Sequence, residues 1–213
     1  MLCNVLAADC AIVEDHWRSG PANEDLANLG QGEVRIIEDK IMVADYPKHR
    51  VAIFSAAPEH SYLGQLLPVP FEDSTRPYAI VQRRYATGKL LVADNLMPHV
   101  YEFSAEFTYL RRFNTTVTGF TCMLVLNDGK VLTAGGPLRL WAADFSSFTQ
   151  LGSPCGAWAT RDMAIDRQTG KVFITDAYAG RVIVFNPADN TLKTLITGLR
   201  DLWGVALTAA GDF

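Results

Sequence analysis

Residues 40–55 read KIMVADYPKHRVAIFS, and the same design returns at 89–104 as KLLVADNLMPHVYEFS and at 171–186 as KVFITDAYAGRVIVFN. In each copy Asp follows the opening Lys by five positions (Asp45, Asp94, Asp176) and Phe follows Asp by nine (Phe54, Phe103, Phe185). A degenerate copy opens at Lys130, KVLTAGGPLRLWAADF, with Gly135 in place of the Asp and one extra residue before Phe145. Another opens at Asn4, NVLAADCAIVEDHW, where Asp9 again lies five residues on. The markers at 9, 45, 94, 135 and 176 repeat at roughly 40 residues, a period that selects a propeller blade or a helical-pair repeat.

The local pattern decides between them. Val43, Val51, Ile53 and Phe54, like Val92, Val100, Tyr101 and Phe103, sit in short β-branched and aromatic runs split by turn residues, as strands require. No window offers a helical stripe. Upstream of each Lys lies a further strand and a hairpin: PYAIVQRRYATGK, FTCMLVLNDGK, DMAIDRQTGK. Asn127-Asp128-Gly129 and Gln168-Thr169-Gly170 put Gly where a positive φ closes the turn. Downstream lies a more polar strand, as in SYLGQLL, FTYLRRF, FTQLG and TLKTLIT. Four strands per period make a four-stranded blade, so the expected fold is an all-β propeller of about five blades over residues 1–213, a single domain.

Composition agrees. The chain has 213 residues, 49% apolar and 20% charged, with 16 Gly, 10 Pro and a formal charge of −4. Such a chain buries a core, which excludes disorder and collagen, and no apolar run approaches the ~20 residues of a spanning helix. A slightly acidic balance lacks the basic footprint that phosphate backbones demand, so nucleic acid is an unfavoured partner. The arginine pairs Arg83-Arg84 and Arg111-Arg112 are expected to serve solubility on exposed strands. Cys3, Cys10, Cys122 and Cys155 form no C-x-x-C pair, so buried free thiols are expected, while Cys3–Cys10 or Cys122–Cys155 bridges stay open in an oxidising compartment. The N-terminus has no basic n-region and meets Asp9 before an apolar h-region develops, which favours a cytoplasmic location; a monomer is expected.

The motif resembles the NHL family of β-propellers. The resemblance is carried by Val43-Ala44-Asp45 with Arg50-Val51 and Phe54, by Val92-Ala93-Asp94 with Val100 and Phe103, and by Thr175-Asp176 with Arg181-Val182 and Phe185. It departs from the family pattern at Gly135 and at His99, which stands where Arg50 and Arg181 stand in their copies. At the C-terminus, Gly204-Val205-Ala206-Leu207 reads as an inner strand. Joining the ends spaces Asp176 from Asp9 by about one period, so one blade is expected to be shared between the termini, pairing strands that would otherwise be exposed edges. A fragment of a longer propeller is the alternative.

Ligands of propellers usually meet the mouth of the central channel, where inner strands begin and the turns between second and third strands cluster. Aligned by their hairpins, Gln31, Arg76, Thr121, Arg161 and Trp203 occupy equivalent positions there, with Asp162 and Tyr78 beside them. Two arginines with a Trp and a Thr suit a small anionic or carboxylate-bearing ligand, because guanidinium forks match carboxylates and indole supplies apolar area. His49, His99 and Tyr178 lie in the second-to-third-strand turns as further contacts. The recurring Asp9, Asp45, Asp94 and Asp176 are read as turn caps, accepting bonds from the following backbone N–H groups, more than as calcium ligands.

The resemblance therefore implies a non-catalytic binding or scaffold module for a protein or small ligand, without a cofactor. The alternative it implies is a calcium-dependent lactonase or strictosidine-synthase-like enzyme, for which Glu33, Asp73, Asp162 and Asp201 are the acids near the mouth. Amidating lyases, also NHL-like, hold zinc through histidines, and Tyr178 is similar to a tyrosine of theirs; no His stands at the inner-strand starts here.

Overall fold

The computed structural model describes residues 32–57, 60–66, 75–83, 88–151, 160–200 and 202–207. Four antiparallel four-stranded sheets follow one another along the chain. Blade 1 holds β1 (Val34–Ile37), β2 (Lys40–Asp45), β3 (Arg50–Ser55) and β4 (Tyr62–Leu66); blade 2 holds β5 (Pro77–Gln82), β6 (Leu90–Asp94), β7 (His99–Phe103) and β8 (Tyr109–Asn114). Blade 3 holds β9 (Cys122–Val125), β10 (Val131–Ala134), β11 (Arg139–Trp141) and β12 (Phe148–Gln150), and blade 4 holds β13 (Thr160–Ile165), β14 (Val172–Asp176), β15 (Arg181–Asn186) and β16 (Thr191–Ile196). Every blade is a meander in sequence order, and β1, β5, β9 and β13 lie side by side as the inner strands. This is a β-propeller with four blades among the described residues.

Period-two alternation explains the stacking. On β2, Met42 and Ala44 join Val51, Ile53 and Leu66 against Ile80, Leu90, Val92, Tyr101 and Phe103 of blade 2, while Ile41, Val43, Ala52 and Phe54 cluster on the opposite face. Ala79, Leu91, Ala93 and Phe113 then meet Met123, Val131, Trp141 and Phe145 between blades 2 and 3, and Leu124, Leu132 and Leu140 meet Met163, Ile174, Ile183 and Phe185 between blades 3 and 4. The second and third strands are apolar on both faces because each blade is covered by its neighbours. The fourth strands are the polar, exposed rim: β16 and β12 bury no residue.

The hairpin glycines behave as their sequence suggests, with φ of +85° at Gly129 and +73° at Gly170. The marker aspartates behave in two ways. Asp94 Oδ1 accepts bonds from the Leu96 and Met97 N–H groups at 2.8 and 3.0 Å, and Asp176 Oδ1 from Ala179 N–H at 3.1 Å, as expected of turn caps. Asp45 makes no such cap to the 3-10 turn Tyr46–Lys48, because Pro47 stands where Leu96 donates in blade 2. Its carboxylate instead takes Arg50 Nε at 3.0 Å.

Three further expectations change. The motif copy at Asn4–Trp17, the marker Asp9 and Gln31 lie outside the described residues, so the fold on view has four blades rather than about five. Residues 202–207 form no strand, since Val205 N–H is spent on the Asp162 side chain at 3.2 Å instead of a ladder partner. Arg83 is not a solvated charge: it is 8% exposed, lies over the Phe113 and Phe145 rings, donates to the Ala143 carbonyl of blade 3 and pairs with the buried Glu102. It clamps blade 2 to blade 3. Arg111, with a 54% exposed side chain, reaches the same Glu102 at 2.7 Å. Cys122 is a free, buried thiol, and Cys155 lies outside the described residues.

Candidate functional site

Strand register sets the mouth. Pro77 faces Asp94 and Thr160 faces Asp176, so the inner strands begin beside the turns that follow the marker aspartates. The residue before Pro77 and the residue after Thr160 are the two expected arginines. The structure joins them through a continuous line of aromatic contacts. Arg76 places its guanidinium 4.6 Å from the centre of the Tyr46 ring; Tyr46 meets Tyr78 edge-on at 6.2 Å; the Tyr78 hydroxyl bonds Arg161; and Arg161 stacks 4.7 Å from the centre of Trp203. Blade 1, blade 2, blade 4 and the 202–207 segment are thereby linked across the channel.

Both arginines are held by ring faces rather than by carboxylates. Neither makes an ion pair with another described residue, and in each the Nε is buried without a hydrogen-bond partner. Cation–π contacts of this kind orient a guanidinium without neutralising it. Trp203 remains 58% exposed. Burial pushes the Tyr78 phenol up, with Arg161 opposing, so Tyr78 stays protonated as a donor or acceptor at neutral pH.

Below this ladder the channel is plugged by charge. Glu33 precedes β1 and Arg35 lies two residues on, so both side chains share one face of the inner strand. Arg35 bonds the Glu33 carboxylate and reaches across to Asp162 of blade 4 at 3.4 Å. Glu33 Oε2 accepts from Ile80 N–H at 2.6 Å in blade 2, and Asp162 accepts from Met163 and Val205 N–H. Burial pushes Glu33 up to about 7, with Arg35 pulling it down and Asp162 pushing it further up. Burial raises Asp162 in the same way, against the pull of Arg35. Burial also works against the charge of Arg35, but Glu33 and Asp162 more than offset it and its pKa is raised. The Cys122 thiol beside them, 1% exposed, is pushed well up by burial and by the two acids, so it is an inert thiol rather than a nucleophile.

Of the expected site residues, the structure thus brings together Arg76, Arg161 and Trp203, with Asp162 directly beneath. Thr121 is buried at 5% with an unpartnered hydroxyl next to Cys122, and takes no part in the ladder. His49 turns its Nδ1 to the Thr75 carbonyl, while His99 turns to the Pro98 carbonyl and to the Tyr101 ring, so the two imidazoles have separate tasks. Tyr178 is 85% exposed and makes none of these ring contacts. Gln31, Asp73 and Asp201 lie outside the described residues. Among the described residues no three His, Cys, Asp or Glu side chains are grouped to hold a metal ion, and Glu33 and Asp162 are committed to Arg35 and to backbone donors. Sequence reasoning missed Tyr46 and Arg35. The available signals were an aromatic directly after the marker Asp and the two-residue spacing of Glu33 and Arg35 on an inner strand.

No protein-family model and no curated protein matches the chain. Solved structures do. A nidogen/laminin complex matches with a TM-score of 0.66 at 14% identity, over 81% of this chain and 66% of that one. A streptogramin B lyase matches with a TM-score of 0.63 at 13% identity, over 87% and 61%. Virginiamycin B lyase from Staphylococcus aureus matches with a TM-score of 0.59 at 8% identity, over 76% and 54%. The chain therefore spans between about half and two thirds of the length of these structures. At such identities the likeness shows the fold alone, and with the four meander sheets it establishes an all-β propeller built of four-stranded blades.

Proposed function

We propose that this chain is an NHL-type propeller acting as a non-catalytic binding module, whose channel mouth takes a carboxylate-bearing ligand on Arg76 and Arg161. One observation carries the reading: two guanidiniums are held at the mouth by aromatic faces, with no acid among the described residues to neutralise them. A buried or half-buried cation kept without a counter-ion is costly unless a partner supplies one. Of the acids that a calcium-dependent enzyme would draw on here, Glu33 and Asp162 serve Arg35 and the inner strands, while Asp73 and Asp201 lie outside the described residues. The lyases and the nidogen/laminin complex show that this fold accommodates both catalysis and protein binding; among the described residues the mouth groups two arginines with aromatic rings, which supports binding. The motif copy at Asn4–Trp17 is read as part of a further blade.

Calorimetric titration with cyclohexanecarboxylate tests the mouth. Arg161→Ala and Arg76→Ala are each expected to weaken binding about 10-fold or more, the scale of a charge-assisted hydrogen bond, with the melting transition retained. Unchanged affinity in the folded double variant overturns the reading.

A further inference from the structure

We propose that the charge plug carries one exchangeable proton, shared between Glu33 and Asp162, and that this proton governs the mouth above it: Arg161, Tyr78 and Trp203 keep their arrangement while it is bound and lose it when it leaves. Its effect on a ligand rests on the mouth being a binding site; the proton itself does not. Both carboxylates bond one nitrogen, Nη2 of Arg35. A guanidinium shared in this way draws two like charges close together, inside a channel where burial already disfavours charge. Among the described residues the other titratable groups that face the pair are Tyr78 from β5 and Cys122 from β9, and both are neutral. The described histidines turn elsewhere, to the Thr75, Ser55 and Pro98 carbonyls. With both acids ionised the plug is one charge short of balance, and a single proton restores it. Burial, opposed by Arg35 and reinforced by Asp162, pushes Glu33 up to about 7, so the proton exchanges close to neutrality.

The two acids are tied to the backbone next to each of these mouth residues. Glu33 donates its own N–H to the Tyr78 carbonyl at 2.9 Å and accepts from Ile80 N–H at 2.6 Å, so it brackets Tyr78. Asp162 directly follows Arg161, and its carboxylate takes the N–H of Val205, two residues past Trp203, at 3.2 Å. Tyr78 and Arg161 both stand where their inner strands slip register, between Pro77 and Ala79 and between Thr160 and Met163. Such bulges leave residues out of the ladder, so the contacts of their side chains and neighbours decide where they lie. Loss of the proton sets Glu33 and Asp162 against each other over one nitrogen, and these bonds take the load. The sign for a ligand follows. An anion on Arg161 binds more tightly to the protonated form, because deprotonation disturbs the seat of Arg161 and adds negative charge to the channel; by linkage, the anion draws a proton in.

The experiment follows the Trp203 indole N–H resonance of the full chain, assigned by its loss in Trp203→Phe, from about pH 5 to about pH 9, beside calorimetric titration with cyclohexanecarboxylate at about pH 6 and about pH 8. In the wild type the resonance is expected to titrate with a midpoint of about 7. The anion is expected to bind about 5-fold or more tightly at the lower pH, the scale of a coupling between sites. Glu33→Gln should flatten both profiles. Asp162→Asn removes the like charge while keeping an oxygen for Val205, and should lower the midpoint by about one pH unit or more, which tests the sharing even where Glu33→Gln fails to fold. A transition that survives Glu33→Gln belongs to another group and overturns the proposal, as does a midpoint unmoved by Asp162→Asn or a Trp203 resonance that does not titrate. A titrating resonance with equal affinity at the two pH values overturns control of the ligand site. No binding at either pH, with the titration intact, overturns the carboxylate reading and leaves the proton in place.

Discussion

Blades 1 and 4 carry an Asp–Arg pair at the junction of their second and third strands, whereas blade 2 carries only the Asp and blade 3 neither member. In blade 1 Asp45 and Arg50 face each other in register and bond at 3.0 Å; in blade 4 Asp176 and Arg181 do so at 2.9 Å. Blade 2 keeps the acid, Asp94, but has His99 for the Arg, and Asp94 Oδ2 is left buried without a hydrogen bond. Blade 3 has Gly135 for the Asp, and its Arg139 faces Thr133, the register position that Ala52 holds opposite Val43 in blade 1, so it is no counterpart of Arg50; its Nε is buried without a hydrogen bond and burial lowers its pKa. One repeat thus displays the pair, the acid alone, neither member, and the pair again. What this teaches is that the Asp can be retained for the turn without its Arg, while the Arg at this register position is found only where the Asp is present.

The comparison breaks hardest at blade 1. The Arg50 side chain is 7% exposed, Asp45 is fully buried, and Arg50 also donates to Gln65 at 3.0 Å on β4. Removing one member of a buried ion pair strands the other, so Arg50→Ala is expected to cost about 3–5 kcal/mol. The Arg181 side chain is 29% exposed, and water can attend to Asp176 after Arg181→Ala, which should cost about 1–2 kcal/mol. Urea unfolding of the two variants checks the ranking; equal losses would show that the pair is not the source of the difference.

Blade 3 can be asked to take its Asp back. A Cβ at Gly135 would lie 1.7 Å from the Gly119 carbonyl oxygen, and the backbone there has φ of +137°, open only to glycine. Gly135→Asp should therefore destabilise by about 2–4 kcal/mol even though it restores the carboxylate of the repeat, and Gly135→Ala should cost nearly as much. A stabilised Gly135→Asp, measured by the same urea midpoint, would mean that the missing carboxylate and not the close approach to Gly119 governs this blade.

The same residues mark what was legible from sequence. Period and strand order were readable because each copy repeats the spacing of Lys, Asp and Phe, and these sit at fixed register positions: Lys40 faces Ser55, and Asp45 faces Arg50. The positions of Arg76, Arg161 and Trp203 at the mouth followed from aligning hairpins. Their contacts did not, since the ladder depends on Tyr46, in a turn of another blade, and on which face of Trp203 is covered. Arg35 was hidden for a related reason: its partner Asp162 is 127 residues away across the channel, a relation that repeat spacing does not encode. Arg83 was misread because charge in a hairpin usually signals solvent, and only inter-blade packing reveals the aromatic seat over Phe113 and Phe145.

Blade 2 gives the smallest and most diagnostic effect. Burial raises the Asp94 pKa, while bonds from the Met97, Leu96 and Arg76 N–H groups and the charge of His99 pull it back only in part. An acid whose pKa is higher folded than unfolded contributes its full stability below the unfolded value and loses it as pH rises through the folded one. Asp94 should thus erode stability as pH climbs from the ordinary aspartate range. Asp94→Asn keeps an oxygen for the Leu96 and Met97 donors and carries no charge to bury, so it should lie within about 1 kcal/mol of wild type near pH 7 and show a flatter pH profile. His99→Arg should reverse the slope, because an arginine placed as in blade 1 favours the ionised carboxylate. Unfolding free energies from about pH 4 to about pH 7 that run parallel in all three proteins would show that Asp94 titrates as an ordinary exposed carboxyl, and that an unpaired marker acid costs this fold nothing.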